Sequence, residues 1–218
     1  MSTRIKLWLL PTLFYAIFVF WYTDFGGPLN DEEIDEFIQV MTDDGVAPER
    51  INFFVKFFRE DSGRQFLMVN ALDMSENPPA VKGAPEGADA DTLMAVYMEH
   101  MIPELLKRAC HPVLMGDAVH AAVDVVGIEG AEQWSAAAVL RYRSRRALME
   151  IASNRDIAGP HDYKLAALEK TIAYPIETSL YLSDLRFLLA LLLFALTALF
   201  DLTILDRTNR ARPSASGQ

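Results

Sequence analysis

Two long apolar runs, one near each end of the chain, restrict its folding more than any other feature. Residues 7–22 are almost wholly apolar, with Trp8 near one end and Trp21 and Tyr22 at the other. Residues 187–205 form the second run, interrupted only by Thr197, Asp201 and Thr203. A bilayer core about 30 Å thick takes roughly 20 residues of helix, so both runs are expected to be transmembrane anchors. The first is slightly short, which local thinning of the bilayer accommodates. Pro11 stands in its first turns, where a missing N–H is tolerated best.

Orientation follows from the basic residues beside the runs. Arg4 and Lys6 precede the first, and Arg207, Arg210 and Arg212 follow the second, while Asp24, Asp31, Glu32 and Glu33 lie beyond the first run. Both termini are therefore expected in the cytoplasm and the middle of the chain outside, which for a bacterial inner membrane is the periplasm. Arg186 opposes this assignment but can snorkel to the interface. The stretch after the first run, 21–27, has no small-x-small pattern, so the anchor is expected to stay uncleaved. The resulting layout is an anchor over 1–25, a helical pair over 30–60, a folded domain over 64–178, a second anchor over 185–206 and a basic cytoplasmic tail over 207–218.

Five of the 20 basic residues flank the runs, so the net charge of −10 belongs mostly to the middle domain. An acidic domain repels phosphate backbones, and a nucleic-acid partner is not expected. Cys110 is the single cysteine; it has no internal disulfide partner and fits no zinc spacing, and it reads as a small buried hydrophobe. No nucleotide loop, nucleophile elbow or zincin helix occurs, so neither a cofactor nor a metal is expected.

Asn30 can cap a helix with Glu33 at the capping-box position, and Ile34, Phe37, Ile38 and Met41 follow at helical spacing. A second helix starts at Pro48 with Ile51, Phe54, Val55 and Phe58 as its stripe. This pair either packs on the main fold or links it to the membrane. A buried strand is predicted over 65–72, then a long loop over 73–91 rich in Pro, Gly and Ala. A helix over 92–109 follows, with Met94, Met98, Met101, Ile102 and Leu105 inward and Pro103 inside. Strands are expected over 111–128, broken near Gly116, and over 134–142. Ser144 caps a helix to about Ser153, a loop covers 154–160, a last helix covers 161–172 and a short strand covers 173–177. The order β-α-β-β-α-β is that of an α+β, ferredoxin-like split βαβ domain, an antiparallel sheet with helices on one face. The strands are apolar on both alternations, so the free face needs a cover, and a second copy of the sheet predicts a homodimer.

MVNAL at 68–72, LRYRSRRALMEI at 140–151 and GPHDYKLAALEKT at 159–171 resemble the small bacterial proteins of the dimeric α+β barrel superfamily. The shared pattern is an MVN first strand, an RY-x-SR strand-to-helix junction and a helix with H followed by AAL. The resemblance covers about residues 65–177. It implies a barrel formed between two subunits and a pocket between sheet and helices in each. The superfamily also holds cofactor-free monooxygenases and stress-responsive barrel proteins.

Among four histidines, His100 falls on the outer side of its helix, His111 reads as a strand-start turn residue and His120 as part of a solvated sheet edge. His161 differs: with Leu165, Leu168 and Ile172 it falls on one helical stripe, in the first turn of a helix, where burial lowers an imidazole pKa. A neutral His161 can serve as a base or bond a substrate oxygen. Tyr142 is the second candidate catalytic side chain, its hydroxyl able to orient a substrate. Asn70, an amide on an apolar strand face, needs partners and can meet a ligand. Arg141 and Ser144, in a basic cluster at a helix start, can hold a carboxylate, and Trp134 shares the face of Tyr142. His161, Asn70 and Tyr142 are expected to converge on a partly apolar cavity with the 73–91 loop as its lid. The function expected is a membrane-anchored periplasmic binding or accessory domain whose ligand the sequence does not specify, a small hydrophobic molecule being one candidate. The alternative is a cofactor-free enzyme of monooxygenase, isomerase or cyclase type acting on a small hydrophobic substrate.

Overall fold

A computed structural model describes residues 3–154 and 160–205; the basic tail with Arg207, Arg210 and Arg212, and residues 155–159 of the expected loop, lie outside the described residues. The elements are α1 (Thr3–Tyr22), α2 (Asp31–Asp43), α3 (Pro48–Arg59), β1 (Phe66–Met74), α4 (Ala90–Lys107), β2 (His111–Asp117), β3 (Ala136–Tyr142), α5 (Arg145–Ala152), α6 (His161–Ala167), β4 (Leu168–Ile176) and α7 (Leu185–Phe200), which continues as a π-turn over Asp201–Leu205. They form two units, Met1–Thr23 with Ser179–Gln218, and Asp24–Thr178.

In the first unit, α1 and α7 include two segments long and apolar enough to cross a membrane, Arg4–Tyr22 and Leu185–Thr203. They run antiparallel, and polar groups pair at both ends. Asp201 Oδ2 accepts from Arg4 Nε at 2.9 Å and from Trp8 Nε1 at 3.2 Å. At the other end Arg186 bonds Asp184 at 2.6 Å and Thr23 Oγ1 at 3.1 Å. Trp8 meets Phe194 with ring centroids 5.8 Å apart. The charge that interrupts the second apolar run is thus matched within the helix pair. Pro11 lies in the interior of α1, further from its start than the apolar run alone indicates, because the helix extends back to Thr3.

In the second unit, four strands form an antiparallel sheet in the order β2-β3-β1-β4. With the βαββαβ chain order this is the ferredoxin-like arrangement. The registers Phe66↔Tyr142, Met68↔Leu140 and Asn70↔Ala138 put one alternation of β1 and β3 on the helical side. There Phe66 and Tyr142 stack at 5.1 Å and pack with Tyr97, Met101 and Leu105 of α4 and Ala147 and Ile151 of α5. The opposite alternation, Val69↔Val139 and Val69↔Tyr174, carries no helix layer of this unit; Leu114, Ile172, Tyr174 and Ile176 are exposed there. Met68 therefore lies on the helical side of β1, and Val69 belongs to the free face.

The helical pair packs on the main fold. Asn30 and Glu33 form the capping box, at 3.0 and 2.9 Å. Phe37 meets Phe58 edge-on at 5.0 Å, and Phe57 meets Phe66 at 5.7 Å, joining α3 to β1. Polar bonds hold the same junction. Asp61 Oδ2 accepts from Leu29 N and Oδ1 from Gly63 N, both at 3.0 Å. Gly63 has φ +72°, and a Cβ there would stand 2.9 Å from the Gly27 carbonyl carbon, so that turn requires glycine.

Two element boundaries and one helix face differ from expectation. The strand from His111 ends at Asp117, because β3, its ladder partner, begins at Ala136 opposite Asp117. Beyond it, 118–135 is an excursion tied by Ala118 N to Ser135 O and Ala122 N to Glu132 O, both 2.8 Å; His120 is therefore in a loop and not at a sheet edge. The helix from His161 ends at Ala167, and Leu168–Ile176 pairs along β1. Leu165 is exposed, so the stripe His161-Leu165-Leu168-Ile172 does not exist. In α4 the buried line is Leu93, Tyr97, Met101 and Leu105, and Ile102 is exposed.

Candidate functional site

Between the sheet and its helices lies a partly open cavity of about 510 Å³, within the size range of small-molecule sites. Its floor is the helical face of the sheet, including Met68, Asn70, Ala138, Leu140 and Tyr142. Met94, Tyr97, Met98 and Met101 of α4 form one wall, and Leu148 and Ile151 of α5 another. Met41, Val46, Arg50 and Phe54, from α2, α3 and their connection, close it from above, and α6 contributes His161 and Lys164. Six methionines line it, counting Met115. Unbranched thioether side chains adapt to ligands of different shape.

Asn70, Tyr142 and His161 all line this cavity. They do not meet at one point. Asn70 pairs with Ala138 and Tyr142 with Phe66, so Asn70 and Tyr142 stand four residues apart along the sheet, about 13 Å at the rise of a strand. Asn70 donates through Nδ2 to the carbonyls of Met68 at 3.1 Å and Ala138 at 3.2 Å, which leaves its side-chain oxygen as an acceptor. Tyr142 is buried against Phe66, and burial pushes its hydroxyl pKa well above the ordinary tyrosine range, with Tyr97 and Cys110 adding to the effect. At neutral pH it can hydrogen-bond a ligand but not act as a base.

The cationic groups gather around His161. Its ring meets Tyr97 edge-on at 6.1 Å, and the Lys164 ammonium stands 5.8 Å from the same Tyr97 ring. Burial holds the His161 pKa below its ordinary 6.5; the charges of Lys164 and Arg50 push the same way and Asp162 opposes them. Burial likewise lowers Lys164 and raises Tyr97 to about 12. His161 is therefore neutral at physiological pH, beside two fixed positive charges.

Trp134, Arg141 and Ser144 do not line the cavity. Trp134 donates to Ala131 O at 2.8 Å and carries the Lys170 ammonium 5.1 Å from its ring. Arg141 is 0% exposed, bonded to Gln65 at 2.8 Å and to the Ala109 carbonyl at 2.6 Å; it closes the end of the sheet. Ser144 caps α5 by accepting from Ala147 N at 3.2 Å. An anion is held at this helix start, but it is the chain's own. Burial alone would raise the Asp24 pKa, yet the Ser144 hydroxyl, the Gly26 N–H and Arg146 hold that carboxyl below the usual range. Arg146 also bonds Glu33 at 2.5 Å, and Arg145 pairs with Asp61 at 3.6 Å and Glu177 at 3.4 Å. The basic cluster thus fastens the 24–33 segment and α3 to α5. The 75–89 part of the long loop does not line the cavity; its Val81, Ala84 and Ala88 pack with Leu93, Ala166 and Ala167. The cover comes from the α2–α3 pair, which sequence reasoning missed; the density of methionine on α4 and β1 was the available signal. Among the described residues, no three His, Cys, Asp or Glu side chains gather as a metal site.

No family model and no curated protein sequence matches the chain. A solved structure of a protein of unknown function from Rhodopseudomonas palustris is similar at 16% identity and TM-score 0.50, covering 60% of this chain and 94% of that one. The methylated form of that protein is similar at 18% identity and TM-score 0.49, with 61% and 93% covered. A protein of unknown function from Bacteroides fragilis, described as dimeric and ferredoxin-like, is similar at 10% identity and TM-score 0.33, with 52% and 96% covered. The Rhodopseudomonas likeness concerns fold, and fold does not carry activity.

The depressed His161 pKa has a consequence for stability. Between its folded value and the unfolded 6.5, the unfolded chain binds a proton that the folded chain refuses. Stability is then full above about pH 6.5 and falls as the pH drops through that window. Urea unfolding between about pH 7.5 and about pH 5 is expected to show a smaller loss in His161→Gln than in the parent; equal losses would show that His161 titrates freely.

Proposed function

We propose that the chain is a membrane-anchored binding module that holds a small hydrophobic ligand in the cavity between its sheet and helices. The observation that carries this reading is the partly open, methionine-rich cavity of about 510 Å³ with a few polar groups in its lining. The separation of Asn70 from Tyr142 favours grip along a ligand over chemistry at one of its atoms. A cofactor-free enzyme is the second reading. It is favoured by His161, held neutral by burial, which could move a proton at a single ligand atom.

The anchors are α1 and α7, and the sheet unit lies on the periplasmic side of a bacterial inner membrane with both termini cytoplasmic. Their length and apolar character support this, as do Arg4 and Lys6 before the first run and the three arginines after the second. The Arg4–Asp201 pair supports it further, since charges near a bilayer are tolerated when paired. Reporter fusions at residue 90 and at the C-terminus are expected to report opposite sides of the membrane. A cytoplasmic signal from residue 90 would overturn the orientation.

The module forms a homodimer through the free face of the sheet. Support comes from the exposed Leu114, Ile172, Tyr174 and Ile176 on that face, and from Val119, Val123 and Val126 in the 118–135 excursion. Exposed apolar side chains in this number are what an interface would cover. Native mass spectrometry of the full chain released from detergent tests dimer and ligand together. The expected spectrum is a dimer carrying a small-molecule adduct. Val69→Glu should give monomer, and His161→Ala should lose adduct with a melting temperature close to the parent's. A parent without adduct, or an unchanged adduct with a steep fall in melting temperature in His161→Ala, would make His161 a packing residue.

A further inference from the structure

The cavity is asymmetric in charge. Among the described residues, Arg50, Lys164 and His161 line it and no carboxylate does. In a chain of net charge −10, a described lining that carries cationic groups without an acidic one is a local departure from the whole. Among the described residues, neither fixed cation is matched by a carboxylate. Arg50 stands 5.5 Å from the Phe54 ring and Lys164 5.8 Å from the Tyr97 ring. This contrasts with Arg108, Arg145 and Arg146, each paired with a carboxylate of the chain.

Lys164 and His161 stand beside the same Tyr97 ring, at 5.8 and 6.1 Å, and Arg50 lines the same cavity. Arg50 is exposed, while Lys164 and His161 are half-buried, so the charged end is the one nearer solvent. The other walls include thioether and aliphatic side chains: Met68, Met98, Leu140 and Ile151. A half-buried ammonium without a counter-ion is costly, and its lowered pKa records that cost. A ligand anion placed there would remove it, with charge-assisted hydrogen bonds from Lys164 and Arg50. Neutral His161 could add one more donor through a ring N–H.

We infer that the ligand is an amphipathic carboxylate, its head held between Arg50, Lys164 and His161 and its apolar body lying along the methionine-lined floor. This rests on the reading of the cavity as a ligand site and adds the chemical class. A neutral molecule of the same shape would leave Lys164 uncompensated, and a cationic one would be repelled.

Methionine methyl labelling reads the site directly, because Met68, Met98 and Met101 line it and Met149 does not. The full chain in lipid nanodiscs, labelled at the methionine methyls, is titrated with phenylbutyrate, phenylbutyramide and phenylbutylamine, which share one apolar body. Phenylbutyrate is expected to shift the cavity methyls and to bind at least about ten-fold more tightly than the amide, with the amine weakest. Arg50→Gln and Lys164→Gln should each reduce the carboxylate-to-amide ratio while the amide still shifts the same methyls, which also shows that the variants are folded. Equal binding of all three at those methyls overturns the carboxylate assignment and leaves the cavity as a general apolar site. No shift of the cavity methyls with any of them overturns the ligand-site reading itself, and the assignment with it.

Discussion

The sheet is apolar on both faces, and the second unit has helices for one. This imbalance governs what the structure can do. On the covered face, α4 and α5 make close contact at the Phe66–Tyr142 end, where stacked rings meet Tyr97 and Ile151. Toward Asn70 the floor residues are smaller or unbranched: Ala138 and Met68, with Ala173 across the β1–β4 ladder. Helices held at one height over a floor that drops in volume leave a hollow, since interiors close-pack only where side chains supply the bulk. On the other face, the aliphatic rows of β1, β3 and β4 carry no layer of their own unit, and a second copy would cover them.

The hollow persists because its roof is tied down from outside. The α2–α3 pair has its own small core of Ile34, Phe37, Ile51 and Phe58, and it is fastened to α5 by Arg145 and Arg146 through Asp61, Asp24 and Glu33. Charge-assisted bonds of this kind contribute about 1.5–3 kcal/mol each in favourable geometry, less for the more exposed members. A roof held by such bonds need not sink into the cavity to be stable. Within the RYRSRR stretch, the Arg145 and Arg146 guanidiniums are paired with carboxylates of the chain, while Arg141 bonds Gln65 and the Ala109 carbonyl.

Much of the fold was legible because local chemistry and tertiary structure agree there. The capping box at Asn30 and Glu33, the Ser144 cap and the MVNAL strand all occur as the residues indicate. Reading failed where one segment satisfies two periods. Residues 161–172 fit a helical stripe, yet Leu168, Lys170, Ile172, Tyr174 and Ile176 also alternate, and the ladder with β1 decides for the strand. The 118–128 stretch reads as a strand by composition, but an edge strand extends only as far as its neighbour, and β3 stops at Ala136. Proline at 112 and 175 marks the two edge strands. For the site, a histidine, an amide and a tyrosine on inward faces could be named from residue type and alternation. The roof, and with it Arg50 and Lys164, could not, because a cavity is defined by volume that is missing.

Whether that volume is empty in solution is the question on which the account turns, and substitution of Ala138 answers it most directly. Ala138 lies on the cavity floor and is otherwise buried. If the cavity exists, Ala138→Leu places its added carbons in open space, so the melting temperature of the full chain should hold or rise and ligand capacity should fall. If the helices close onto the sheet in solution, the same substitution overpacks the core and should destabilise the protein by about 1–3 kcal/mol, which would contradict the account.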